Sequence, residues 1–400
     1  MKINERISLE SARFILDTHI SPITHTESLP IDAATGRVLA QNITAAYSTP
    51  PFDRAVMDGY ALIAADTEGV TVKSPHTLTV IETVFAGSIP TKKVSAGQCT
   101  QIATGARIPA GANAVVMLED IKRQGNVISV FKPISADSNI AREGEDIKQG
   151  TLILAKGTFL DPGRVGVLAS QGLSRVKVYG RPKVAVMPTG EEVVPVGSKL
   201  RAGQLYDINS HTLAAVIQAS GGQPLILPVS SDDRHTLKRN LEKALKADMV
   251  VTSGGSSVGE RDLLFETLSE QGEILFHGIK IRPGKPVTFA LVQGKPIIGM
   301  PGYPASCLVN AYMLLIPAVR KLAHLPPQKT VAVQARLEEG VRGMADTTQF
   351  LPVLVEGQSA RSVFKGSGAI TSIAHASGYV VIPAGDAGPA AGTEVTVNLF

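Results

Sequence analysis

The stretch Ala247–Asp262, ADMVVTSGGSSVGERD, leaves the chain few ways to fold. Its apolar run Met249-Val250-Val251-Thr252 suits a buried strand, because β-branched side chains pack well on a pleated surface. The run breaks into Ser253-Gly254-Gly255-Ser256-Ser257-Val258-Gly259, whose bare glycine N–H groups and serine hydroxyls can approach an anion closely. Glu260, Arg261 and Asp262 then precede a helical pattern through Leu263, Leu264 and Leu268. Strand, small-residue loop and helix start, in that order, set an anionic group over a helix N-terminus. The glycine spacing fits neither the dinucleotide fingerprint nor the P-loop, and no Lys-Ser/Thr follows. A tight strand-to-helix turn without a ligand satisfies the same pattern.

The alternation extends through the surrounding chain. From Pro182 onward strand and helix patterns follow one another, as a parallel α/β sheet requires. Strands are predicted at 184–187, 225–229, 273–276, 287–291 and 297–300, and helices at 211–219, 234–247 and 307–322. Upstream, Ser8 caps a helix that closes before Ser21-Pro22, and Asp161-Pro162-Gly163 starts another. Residues 62–140 hold only short β-type runs punctuated by Pro and Gly, while Asp58-Gly59 just before them reads as turn chemistry. After Pro326-Pro327, short alternating strands with Gly-rich turns indicate a separate small β domain.

At 400 residues the chain exceeds one ordinary core. A net charge of +4 is mild, and no dense Lys/Arg run is interleaved with aromatics, so nucleic acid is not expected as a partner. Cys99 and Cys307 make no metal-spaced pair and fit a reducing compartment. The N-terminal stretch lacks the apolar core of a signal peptide, and the most apolar segment, 307–319, is too short to span a bilayer. A cytoplasmic protein that binds no membrane is expected.

In an open α/β sheet, ligands bind outside the carboxyl ends of the strands. Here those ends carry Thr189-Gly190-Glu191-Glu192, Asp232-Asp233, Ser253–Ser257 with Asp262, and Pro301–Ser306. Lys280, Arg282 and Lys285 precede a strand. Glycine loops, hydroxyls and cations suit oxyanions, whereas carboxylates beside an anion call for a hard cation such as Mg²⁺. Any one carboxylate alone serves equally as a helix cap or a solvated loop residue; their coincidence on successive strand ends points to a site.

Eight motifs in one order, FDRAVMDGYA, IATGARIPAGANAVV, GEDIKQG, PTGEE, GQLYDINS, TSGGSSVGERD, RPGKP and MPGYPAS, resemble the molybdopterin molybdenumtransferase family, the MoeA and gephyrin E-domain group. The resemblance covers nearly the whole chain. It implies a multidomain α/β plus β fold: an N-terminal helix and linking domain over 1–46 and 141–180, a β-rich lid-like domain over 47–140, a molybdopterin-binding α/β domain over 181–325, and a C-terminal β-barrel over 326–400. It further implies Mg²⁺-dependent insertion of molybdenum into adenylylated molybdopterin, using molybdate and releasing AMP, by a homodimer. An upstream molybdopterin adenylyltransferase and recipient molybdoenzymes follow as partners. Asp58, Asp146, Glu192, Asp232 and Asp262 match the family's acidic functional positions, with Glu192 and Asp262 assigned to Mg²⁺ and Asp58 to the partner subunit's cleft. Thr189, Gly190, Ser253, Gly254, Gly255, Ser256, Ser257, Pro301, Gly302 and Pro304 would cradle the pterin phosphate. Arg282, Lys285, Ser306 and Ser367 would hold molybdate.

The chain departs from that pattern at Tyr303, where Asn is usual, at Ala55 and Asn113 for Ser and Asp, and at Arg282 for Lys. The segment Asp346-Thr347-Thr348-Gln349-Phe350 also lacks an expected arginine. These changes leave open molybdate against tungstate, and a catalytically weakened paralogue that binds molybdopterin as a scaffold.

Overall fold

The computed structural model describes residues 5–230, 233–254 and 263–400. The chain forms two compact units, one of residues 30–35 and 41–176 and one holding the remainder.

The larger unit is built on a six-stranded sheet in the order Gln223–Ile226, Lys183–Pro188, Met249–Ser253, Lys295–Met300, Thr288–Val292 and Gly272–His277. The first four strands run parallel. Alternate residues of these strands serve two helical layers, which is why they read as continuous apolar runs. Val184, Val186, Met249 and Val251 pack with Leu213, Ile217 and Val319 on one face; Ala185, Met187 and Val250 pack with Leu237, Leu241 and Leu268 on the other. The last two strands turn antiparallel. Between Thr288–Val292 and Lys295–Met300 the cause is local: Gln293 and Gly294, at φ 52° and 73°, form a two-residue turn that permits those two strands no other pairing. The edge strand spans Gln223–Ile226 rather than the predicted 225–229, and the Leu227 N–H still donates to the Val186 carbonyl oxygen at 2.9 Å.

Two helices start earlier than their periodicity indicates. Asn209–Ala219 begins two residues before His211, where the Asp207 carboxylate accepts the Ser210 N–H at 2.9 Å. The helical stretch predicted from Cys307 begins at Pro304 instead, since proline suits a first helical turn. It runs to Leu322 with a π-helical turn at Ala311–Leu315. At 19 residues it is, among the described residues, the one helix long and apolar enough to cross a membrane. This corrects the expectation of too short a segment, although 78% of its apolar window is buried in the fold, as in a core helix. Helix Leu9–His19, capped by the Ser8 hydroxyl, adds Leu9, Ala12 and Leu16 to the same core.

The C-terminal strands close on themselves. Thr348–Glu356, Ser359–Ser362, Ala332–Leu337, Glu394–Leu399 and Gly378–Ile382 pair in that order, and the last pairs again with the first, giving a small β-barrel around Leu337, Val353, Val380 and Val397. A short strand from the α/β part, Ile281–Arg282, adds to the barrel in parallel against Thr348–Gln349.

The smaller unit carries a six-stranded sheet in the order Ala114–Met117, Gly59–Leu62, Gln98–Ile102, His76–Val84, Val127–Val130 and Ile121–Gln124. Gly59 is here a strand residue and not the turn glycine expected. Its Cβ position would overlap the Val116 carbonyl oxygen, so glycine lets the two backbones approach. Helix Pro162–Ser170 starts as predicted, with Asp161 accepting the Arg164 N–H at 2.9 Å.

Candidate functional site

The sheet order reverses at Lys183–Pro188. The chain leaves that strand for Gln223–Ile226 on one side and returns as Met249–Ser253 on the other. A crevice at the carboxyl ends of such a pair is where open α/β sheets bind ligands. Pro188, Ser253 and Met300 stand in register across three strands, so the loops opened by Thr189, Gly254 and Pro301 lie side by side. Their backbones are nearly in contact. Gly254 sits at φ 95°, and a Cβ there would overlap the Thr189 carbonyl oxygen and stand 2.9 Å from its Oγ1. A Cβ on Gly302 would meet the Gly254 Cα at 3.5 Å. Asn209 ties the loops together, its Nδ2 donating to Ser253 Oγ at 2.7 Å and to the Gly302 carbonyl oxygen at 2.8 Å. Gly190 and Thr189 are buried, while Glu191 and Glu192 are exposed. The Glu192 carboxylate folds back so that its Oε2 is 3.0 Å from where a Gly190 Cβ would be.

A second cluster surrounds the start of helix Pro304–Asn310. Gly284 has φ 100° and lies against the helix, where a Cβ would overlap Asn310 Nδ2 and stand 3.1 Å from the Ser306 carbonyl oxygen. Asn310 Nδ2 donates to the Gly284 and Ser306 carbonyl oxygens at 3.1 and 2.8 Å. This pins the turn carrying Lys285 to the buried Ser306. From the barrel, the Ser367 carbonyl oxygen accepts the Ala305 N–H at 3.0 Å. Tyr303, 68% exposed, stands at the mouth, with its ring 3.8 Å from the Cβ position of Gly368. Three of the four predicted oxyanion positions therefore converge on one helix start. Arg282 is exposed, on the strand that joins the barrel, with its guanidinium 3.8 Å from the Met344 sulfur. A helix start bearing hydroxyls and a lysine is suited to a compact anion.

Family models match three segments of the chain. Residues 7–172 match the MoeA N-terminal region (domain I and II), 185–321 the probable molybdopterin binding domain, and 334–400 the MoeA C-terminal region (domain IV). The molybdopterin molybdenumtransferase of Staphylococcus aureus strain COL is 33% identical over 379 residues, covering 93% of this chain and 90% of that protein. The chain belongs to the MoeA family of molybdopterin molybdenumtransferases. The Staphylococcus epidermidis protein of the same name, from strain ATCC 12228, is 32% identical over 98% of this chain and 94% of its own. A crystal structure of the molybdopterin biosynthesis MoeA protein from Pyrococcus horikosii superposes with a TM-score of 0.85 at 40% identity, covering 99% of both chains. The MoeA-family assignment places the protein among transferases of molybdenum cofactor biosynthesis.

Of the acidic residues expected at the site from the resemblance, Asp58 and Asp146 lie in the smaller unit and are exposed. The Thr104 backbone N–H and hydroxyl donate to Asp58 Oδ1 at 2.6 and 2.8 Å and hold its carboxyl below the usual range, the backbone bond contributing most. The depressed value means that the ionised form is favoured on folding. Its stabilising contribution is thus present above the unfolded pKa and is lost as pH falls through the folded one. NMR titration should find Asp58 below an ordinary aspartate, and Thr104→Val should move it part of the way back, because the backbone donor remains. An unshifted Asp58 in the native protein would contradict this. Asp232, Gly255, Ser256, Ser257 and Asp262 lie outside the described residues.

Sequence patterns did not single out Asn209, Gly284 or Asn310 within this MoeA-family site. Asn209 reads as part of a helix lead-in, and Asn310 as an interruption of an apolar helix. Cys307, one turn into the same helix, is fully buried, and that burial pushes its thiol up to about 12. Burial pushes Cys99 to about 12 as well. Neither thiol should react with an aromatic disulfide reagent in the native protein near pH 8, whereas both should react after denaturation. Prompt labelling of native protein would sink this expectation.

Proposed function

We propose that the protein inserts molybdenum from molybdate into adenylylated molybdopterin, with release of AMP, in a Mg²⁺-dependent step. The supporting observation is that one loop, 301–306, touches both clusters. Gly302 meets Gly254 and Asn209, while Ala305 and Ser306 meet Ser367 and Gly284. The first cluster, of packed glycine backbones and Ser253, suits a phosphorylated pterin; the second, with Lys285, Ser306 and Ser367, suits a compact dianion. Holding both on one loop brings the reacting partners together, which is a large part of any bimolecular acceleration.

Among the described residues no group of three His, Cys, Asp or Glu could hold a metal ion. Mg²⁺ commonly takes one or two carboxylates and completes its shell with water and substrate phosphate oxygens. The exposed Glu192 beside Gly190 is a hard oxygen donor that fits such a partial shell, with Asp262 as its assigned companion. When bound, the ion supplies positive charge against the phosphoanhydride. Glycine backbones of the 189, 254 and 302 loops orient the pterin phosphate, and Lys285 with Ser306 fixes the oxyanion. In this proposal the protein acts as a homodimer, with Asp58 of a second copy completing the cleft; its exposed, ionised carboxylate is available for that role. The substrate's chemistry requires an upstream adenylyltransferase and a molybdoenzyme to receive the product.

The test mixes purified protein with adenylylated molybdopterin, Mg²⁺ and either molybdate or tungstate, and follows AMP. AMP release that depends on the oxyanion and on Mg²⁺ is expected, and the more effective oxyanion identifies the metal. Tight pterin binding without AMP would favour a scaffold, and no binding would overturn the assignment.

A further inference from the structure

Asn209 has a bonding arrangement that the fold alone leaves incomplete. The Gly302 carbonyl oxygen can only accept, so the amide must present Nδ2 to it, which settles the orientation of the side chain. Both Nδ2 hydrogens are then used, one on Gly302 and one on Ser253 Oγ. Asn209 Oδ1 is left buried with no donor among the described residues, in a side chain whose residue is only 8% exposed. Buried acceptors are rarely left so, because the lost solvation is not recovered. This one lies where three strand-end loops meet at the sheet's switch point.

We propose that Asn209 is a positioning residue that clasps the Ser253–Gly254 and Pro301–Gly302 loops, and that its Oδ1 accepts a hydrogen bond from an N–H or O–H of the bound pterin. The inference rests on the pterin assignment made above. A pterin carries ring N–H and amine donors, so it can satisfy an acceptor that the protein leaves open. Sulfate-like oxyanions carry no such donor and gain nothing from Oδ1. The clasp and the open acceptor therefore act on one substrate and not on the other.

Asn209→Ala and Asn209→Ser test this, serine being well tolerated at a helix start yet too short to reach both loops. Molybdopterin affinity is read by its intrinsic absorbance or by calorimetry, the KM for molybdate by AMP release, and folding by thermal melting. The expected result is a molybdopterin Kd raised about tenfold or more in both variants, with the molybdate KM within about twofold of wild type. Unchanged Kd in a folded variant overturns the proposal. So does a parallel loss in Kd and molybdate KM that tracks a lowered melting temperature, since that marks a purely structural role. Absence of molybdopterin binding by the wild-type protein would instead overturn the functional assignment itself, so the two failures are distinguishable.

Discussion

Gly254→Ala should abolish useful molybdopterin binding while leaving the fold largely intact. The residue sits at φ 95°, where an L side chain costs roughly 1–2 kcal/mol. The larger effect is steric. The new Cβ would overlap the Thr189 carbonyl oxygen and crowd its Oγ1, and neither can swing away, because Thr189 is buried and its N–H donates to the Ser253 carbonyl oxygen at 2.9 Å. The two loops must part by about an ångström, and a displacement of that size in a binding constellation typically costs on the order of a hundredfold. The Kd for molybdopterin, measured beside the melting temperature, checks this. A variant that binds within about twofold of wild type would show that the loops tolerate separation.

Gly284→Ala should injure the other half of the site. A Cβ at φ 100° would displace the Asn310 amide and press on Ser306, breaking the bonds that hold the Lys285 turn to the helix start. The expected outcome is a molybdate KM raised on the order of a hundredfold, with molybdopterin affinity little changed, since Gly254, Thr189 and Asn209 are not among the atoms displaced. Equal damage to both ligands would mean that the 301–306 loop transmits the strain, and would weaken the division into a pterin cradle and an oxyanion seat. The two glycine variants thus form a matched pair with opposite expected selectivities.

Local pattern carried a good deal of this protein. The run Met249–Thr252 breaking into glycines and serines declared a strand with a loop at its carboxyl end, and repetition of that pattern from residue 184 onward declared a parallel α/β sheet. Those features depend on spacings of a few residues, which set the face a side chain presents. The helix caps Ser8 and Asp161 were visible for the same reason, being bonds between residues three apart.

What local pattern did not decide were distances between residues far apart in the chain. Gly59 and Gly284 look like ordinary turn glycines; only packing against Val116 and against Asn310 with Ser306 gives each its reason. The antiparallel end of the sheet follows from how strands pair once Gln293-Gly294 makes its turn, and Ile281–Arg282 joins the barrel through pairing with residues 348–349. Asn209 bridges Ser253 and Gly302, which are 44 and 93 positions away. Strand order brings them together, and no periodicity encodes strand order. The sequence by itself determined which segments are strands, helices and anion-friendly loops, because those depend on neighbours in the chain. Tertiary structure alone decided which loops touch, because contacts between residues far apart in the chain depend on strand order, and it is these contacts at residues 301–306 that support the proposed pairing of a pterin cradle with an oxyanion seat.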